Sequence, residues 1–241
     1  MNINIKLAVC LVLFAYTAGA YAQQKADSTQ YQIPVNNAIN NYKKTIVLQS
    51  GLYNGPEYVF YNRQKKDNVF YQDQSFWVNS TINYNGATYT NVPLVYDLYK
   101  NEVVALLYNK TTNYILIPEK LTSFTFQNHF FIYRNVPEGS GNLKSGIYDQ
   151  LYSGKTEVLV RRTKSLLTLP NQDKLYPEAD NIFIKKAGKY YEADSKGSLL
   201  SVLKDRKKDL RKFINDNNLD FKENKDQSIA RAVIYYDTLT Q

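Results

Sequence analysis

The sequence predicts a mainly β protein with a helical C-terminus: antiparallel sheets arranged as a sandwich or partial barrel, followed by two or three short helices. Three observations carry this. Short runs rich in Val, Ile, Thr, Tyr and Phe recur from Thr45 to about residue 193, separated by turn residues. No strand–helix alternation of the doubly wound kind interrupts them. From Leu199 the apolar period changes to that of a helix, with Leu203, Leu210, Phe213 and Ile214 on one face.

The elements follow in order. Residues 1–22, MNINIKLAVCLVLFAYTAGAYA, read as a cleaved signal peptide. Lys6 is its positive region, Leu7 to Thr17 its apolar core, and Ala20-Tyr21-Ala22 its small-x-small site. The core is too short for a membrane span, which needs roughly 20 apolar residues. Because it continues past Cys10, it also does not fit a lipoprotein signal. The expected destination is the periplasm, the envelope or the exterior. Residues 23–44 form a polar leader with a short helix over 35–44. Strands are expected at 45–48, 57–63, 76–84, 87–96, 102–108, 113–117, 121–127, 130–134, 146–152, 156–163, 181–186 and 189–193. Asn85-Gly86 between Tyr84 and Ala87 is the clearest hairpin, since both residues tolerate the positive φ of a type I′ turn. Residues 45–197 thus make the β domain and 198–241 the helical element. In the latter, Asp205 is the expected N-cap of the Lys204–Ile214 helix, and Asn217-Asn218 its stop. A last helix from Asp226 carries Ile229, Val233, Tyr236 and Leu239.

Composition narrows the chemistry. The chain has 241 residues, one Cys, one His, one Met, one Trp and 22 Tyr, with a net charge of +8. Removing residues 1–22 leaves 219 residues, no cysteine and a charge of +7. A chain of that length buries roughly 70% of its unfolded surface without disulfide staples. Thiol nucleophiles, thiolate metal sites and multi-His zinc sites are excluded. His129 reads as an exposed turn residue between Phe126 and Phe130. No G-x-S-x-G or P-loop pattern is present. Asp216–Glu223 lacks the order and central glycine of a calcium loop and reads as a helix-ending loop. No catalytic, cofactor or metal residue is therefore expected, and binding residues stay unassigned. Glu57, Asp97, Asp149 and Asp237 are the carboxylates a glycoside hydrolase would draw on. The tyrosines suit half-buried strands. A binding platform would use Trp77 and tyrosines on one exposed face.

Basic charge concentrates in residues 155–241, at Arg161-Arg162 and in the Lys204–Lys212 run. Export and the interleaved Asp205 and Asp209 argue against nucleic acid. A weak attraction to an anionic membrane surface is the charge-based expectation.

The segments LYNGPEYVFY (52–61), NYNGATYTNVPLVYD (83–97) and GIYDQLYSGKTEVLVRRTK (146–164), with the run from Leu199 to Leu239, resemble a family of exported β-rich proteins of Bacteroidota-type bacteria. The resemblance implies a Gram-negative envelope context and brings no catalytic or binding residues with it. The expected function is an exported, non-catalytic envelope protein that binds or scaffolds an envelope protein or glycan. The alternative is a carboxylate-dependent glycan hydrolase.

Overall fold

A computed structural model of the chain describes Pro34, Ala38 and residues 51–61, 67–137 and 142–240. The chain divides into two compact units, residues 1–48 and 49–241, and the second holds every element named below. The signal peptide, the 45–48 strand and, apart from Pro34 and Ala38, the polar leader with its 35–44 helix lie outside the described residues.

The described residues form twelve strands and three α-helices. Ten strands build one antiparallel sheet, ordered β12-β11-β8-β7-β6-β5-β1-β2-β3-β4. They are β1 (Val78–Tyr84), β2 (Ala87–Asp97), β3 (Glu102–Leu106), β4 (Asn113–Ile115), β5 (Leu121–Phe126), β6 (His129–Arg134), β7 (Gly146–Ser153), β8 (Glu157–Lys164), β11 (Glu178–Lys186) and β12 (Lys189–Glu192). β9 (Leu167–Thr168) and β10 (Lys174–Leu175) pair in a small separate hairpin. The chain lays down β1–β4 as a meander, returns to pair β5 with the free side of β1, and meanders outward to β12. Asn85 and Gly86 turn β1 into β2 with φ of 50° and 78°, the left-handed values a type I′ turn requires.

The pleat explains the burial. On β2, Val92, Leu94 and Tyr96 enter one core while Val95 faces the other. On β8, Val158 and Val160 face the helices while Leu159 packs with Tyr148 and Phe183 behind the sheet. Both faces are covered, so several strands read as unbroken apolar runs. The largest core is aromatic: Tyr96 packs edge-on against Phe124 and Phe131, and those two rings stack 4.9 Å apart. The sheet coils without closing. Its curl brings the end of β2 to β8, where Leu98 accepts a backbone hydrogen bond from Lys164, and sets Asn101 beside Gly146 at the start of β7.

The helices are α1 (Lys196–Val202), α2 (Lys207–Asp216) and α3 (Lys225–Leu239). The Ser195 side chain accepts from the Ser198 backbone, and Ser198 returns the bond in a capping box. Leu199, Leu203, Leu210, Ile214, Ile229, Val233 and Tyr236 pack on β8 and β11. The predicted stripe is present, but Phe213 is only half-buried and stacks on Tyr235, 4.1 Å between centroids. Asp205 is not the N-cap. Arg206 occupies that position without a side-chain cap, and Asp205 instead accepts from Lys186 and the Tyr236 hydroxyl. Asp237, in the last turn of α3, would oppose the helix dipole. It is held by three donors, Tyr152 Oη, Thr156 N and Thr156 Oγ1, which pin α3 to the β7–β8 turn.

Candidate functional site

Two polar constellations stand out, one closed and one open. The closed one fills the seam between the aromatic core and the helix-covered core. Asp149 on β7 shares its inward face with Ile147, and Arg162 on β8 with Val158 and Val160. Arg162 Nε and Nη2 donate to Asp149 Oδ2 at 2.8 and 2.6 Å. Its other contacts are Asp180 at 2.7 Å and Asp226 at 2.8 Å. Burial works against the guanidinium charge, yet the three carboxylates outweigh it and hold its pKa above the ordinary arginine value. Two residues on, buried Lys164 donates to Asn68 O at 2.7 Å and Asp73 Oδ1 at 2.6 Å. Of the Arg161-Arg162 pair in which basic charge concentrates, Arg162 is thus buried and paired. Neighbouring strand residues face opposite sides of the sheet, and Arg162 takes the inner one.

His129 belongs to the same seam. It is not an exposed turn residue: Nδ1 lies 2.7 Å from Asp149 Oδ2, and its side chain is 27% exposed. Tyr71 covers it, with ring centroids 5.5 Å apart. The acceptor oxygen of this His–Asp pair is also bound to Arg162.

The four carboxylates singled out from the sequence do not meet. Asp97 accepts from the Tyr58 and Tyr61 hydroxyls, both at 2.7 Å, and from Lys100 N at 2.9 Å. Asp149 is bound in the seam and Asp237 at the helix. Glu57 is exposed, on an isolated bridge to Tyr114. Trp77 is half-buried against Phe60 and offers no platform. Asp220 receives the Lys222 and Glu223 amides at the start of the turn before α3. Among the described residues no group of three or more His, Cys, Asp or Glu is arranged to hold a metal ion.

The open constellation is a cleft of about 430 Å³ where the coiled sheet brings the β2–β3 turn against the segment after β4 and the start of β7. Lys100, Asn101, Glu102, Glu119 and Tyr133 contribute its polar walls. Burial pushes the Glu102 carboxyl above the ordinary carboxylate value, Lys100 pulls it back, and Asp97 pushes it further up. Its Oε2 is buried without a hydrogen-bond partner. The Tyr133 hydroxyl is raised by burial and then by the Glu119 charge. Among the described residues neither Glu119, the Tyr133 hydroxyl nor the Lys100 ammonium makes a side-chain hydrogen bond. The ammonium lies 4.2 Å from the Tyr61 ring centroid and 5.5 Å from that of Tyr58. The rings of Tyr61 and Tyr99, 6.4 Å apart and each 41% exposed, lie outside the cleft lining, and the Lys100 ammonium sits over the Tyr61 ring. Sequence reasoning missed Glu102, Glu119 and Tyr133. The one available signal was Glu102 itself, an acid heading the otherwise apolar strand EVVAL.

No family model, no curated protein and no solved structure matches this chain.

Proposed function

We propose that this is an exported, non-catalytic binding protein of the Gram-negative envelope, of the Bacteroidota-type family its motifs resemble, and that the cleft at the β2–β3 turn is its binding site. The observation that carries the reading is the contrast between the two constellations. The residues suited to acid–base work, His129 and Asp149, are tied into the seam. Glu102, Glu119, Tyr133 and Lys100, none with a side-chain hydrogen bond among the described residues, line one cleft, which is how small-ligand sites are built. No helix among the described residues is long and apolar enough to cross a membrane. Processing after Ala22 would release the chain beginning at Gln23, and an intact mass that retains Met1–Ala22 would defeat this part. The decisive experiment is a pull-down from envelope extract with the processed chain beside a Glu119→Gln/Tyr133→Phe variant. Material retained by the parent and lost by the variant supports the reading. Identical recovery from both contradicts it.

A second reading, carboxylate-dependent glycan hydrolysis, draws support from Glu102. A carboxyl raised by burial can serve as a proton donor opposite a second carboxylate, here Glu119. Against it, Tyr133 is the one aromatic ring lining the cleft. Hydrolysis of a polysaccharide by the parent chain, abolished in Glu102→Gln, would favour this reading over binding alone.

Membrane attraction is a lesser part of the proposal. Arg206, Lys207, Lys208, Arg211 and Lys212 are all exposed, opposite the buried Leu210 and Ile214. Salt-sensitive sedimentation with anionic vesicles, weakened by Lys207→Gln/Lys208→Gln, would support it.

A further inference from the structure

We infer that the ligand of the cleft is a neutral saccharide, an inference that rests on the binding reading above. The cleft walls alternate in hydrogen-bonding character. Glu102 and Glu119 accept, and the Lys100 ammonium donates. Asn101 offers Nδ2, its Oδ1 being taken by the Tyr96 hydroxyl at 2.8 Å. The Tyr133 hydroxyl both donates and accepts. A sugar hydroxyl also donates and accepts at once, so a polyhydroxyl ligand satisfies both sets of groups together.

Other chemistries fit less well. An anionic ligand would meet two carboxylates against one ammonium. An apolar ligand would strand the polar walls without partners, at a desolvation cost. A polycation would satisfy the carboxylates but oppose Lys100 and leave the Asn101 amide facing a donor. Size agrees: small-ligand sites span roughly 300 to 1,000 Å³, and about 430 Å³ lies near the lower end, suited to one or two sugar rings. The adjoining surface agrees as well. Tyr61 and Tyr99 are exposed rings outside the cleft lining, linked to it through Lys100, and a sugar that extends past Lys100 packs its C–H face on such rings while its hydroxyls reach the polar walls. The Tyr61 ring is fixed for this purpose by its 2.7 Å hydrogen bond to buried Asp97.

The test is isothermal titration of the processed chain with three probe sets. The first is neutral mono- to trisaccharides of glucose, galactose, mannose, xylose and N-acetylglucosamine. The second is the matching hexuronate oligosaccharides, and the third is spermidine. The variants are Glu119→Gln/Tyr133→Phe and Tyr99→Ala, each checked for an unchanged melt. We expect at least one neutral saccharide to bind, about tenfold more weakly to the double variant and several-fold more weakly to Tyr99→Ala. Neutral sugars that do not bind, that bind equally to parent and variants, or that bind more weakly than uronate or spermidine would overturn the inference. Spermidine or uronate binding lost in the double variant would overturn the sugar and leave the cleft as a binding site. Failure of every probe, together with identical pull-downs from parent and variant, would overturn both.

Discussion

Arg162 ties two strands and a helix together through one side chain. Its guanidinium joins β7 through Asp149, β11 through Asp180 and α3 through Asp226. Removing one partner of a buried ion cluster costs more than the cluster contributes, because the remaining charges stay buried and unpaired. Arg162→Leu should therefore destabilise the fold by about 3–5 kcal/mol in denaturant melts, whereas Arg161→Leu, on the opposite face, should cost far less. The acid partners have opposite pH signatures. Burial raises the Asp226 carboxyl, but the Arg162 hydrogen bond and charge more than offset it, and the net pKa is lowered. An acid depressed on folding contributes stability above its unfolded pKa of about 3.9 and loses it as pH falls through the folded value. Asp226→Asn should thus cost about 1–2 kcal/mol at pH 7, with the gap closing as pH falls below about 4. Asp180 runs the other way: burial outweighs Arg162 and its pKa is raised. Asp180→Asn should lose ground relative to the parent as the pH falls from neutral toward 4. Melts of both variants across pH 3–7 check the two signs.

At the scale of elements, α2 separates buried from decorative apolar residues. Leu210 is fully buried between α2 and the sheet-facing core, and Leu210→Ala should cost about 2–5 kcal/mol. Phe213 is half-buried and its main contact is the stacked Tyr235 ring, so Phe213→Ala should cost only about 1 kcal/mol. The β1–β2 turn offers a purely conformational test. A Cβ at Gly86 would meet nothing within 4 Å, yet its φ is 78°. Gly86→Ala should accordingly cost about 1 kcal/mol through backbone strain alone. The strands of the large sheet were legible because Val, Ile and Tyr recur with turn residues between them. β9 and β10 were not, being strands of two residues each, and the exposed Leu166 and Leu167 at β9 give no alternation. Asp205 was misplaced because a capping preference cannot anticipate that Lys186 and Tyr236, 19 and 31 residues away, compete for the same carboxylate.

At the scale of the whole molecule, register and curl decide what sequence cannot. His129 meets Asp149 because β6 pairs with β7 through Phe131 and Asp149. Twenty residues of spacing give no hint of this. The cleft is less legible still. Its walls come from segments around residues 101, 117, 133 and 146, which meet only because the open sheet coils on itself. The sheet edges are managed without closure. β4 is flanked by the Glu57 bridge, and β12 is short and carries Lys189 and Glu192. The cleft is a concave polar surface with unmet hydrogen-bonding capacity, and the account stands or falls on its occupancy. The most direct measurement is backbone hydrogen exchange of the processed chain, alone and with the envelope fraction it captures. The account predicts added protection at residues 100–102, 115–119 and 145–146, with the helices unchanged. Protection confined to α1–α3 or to β12, or none anywhere, would contradict it.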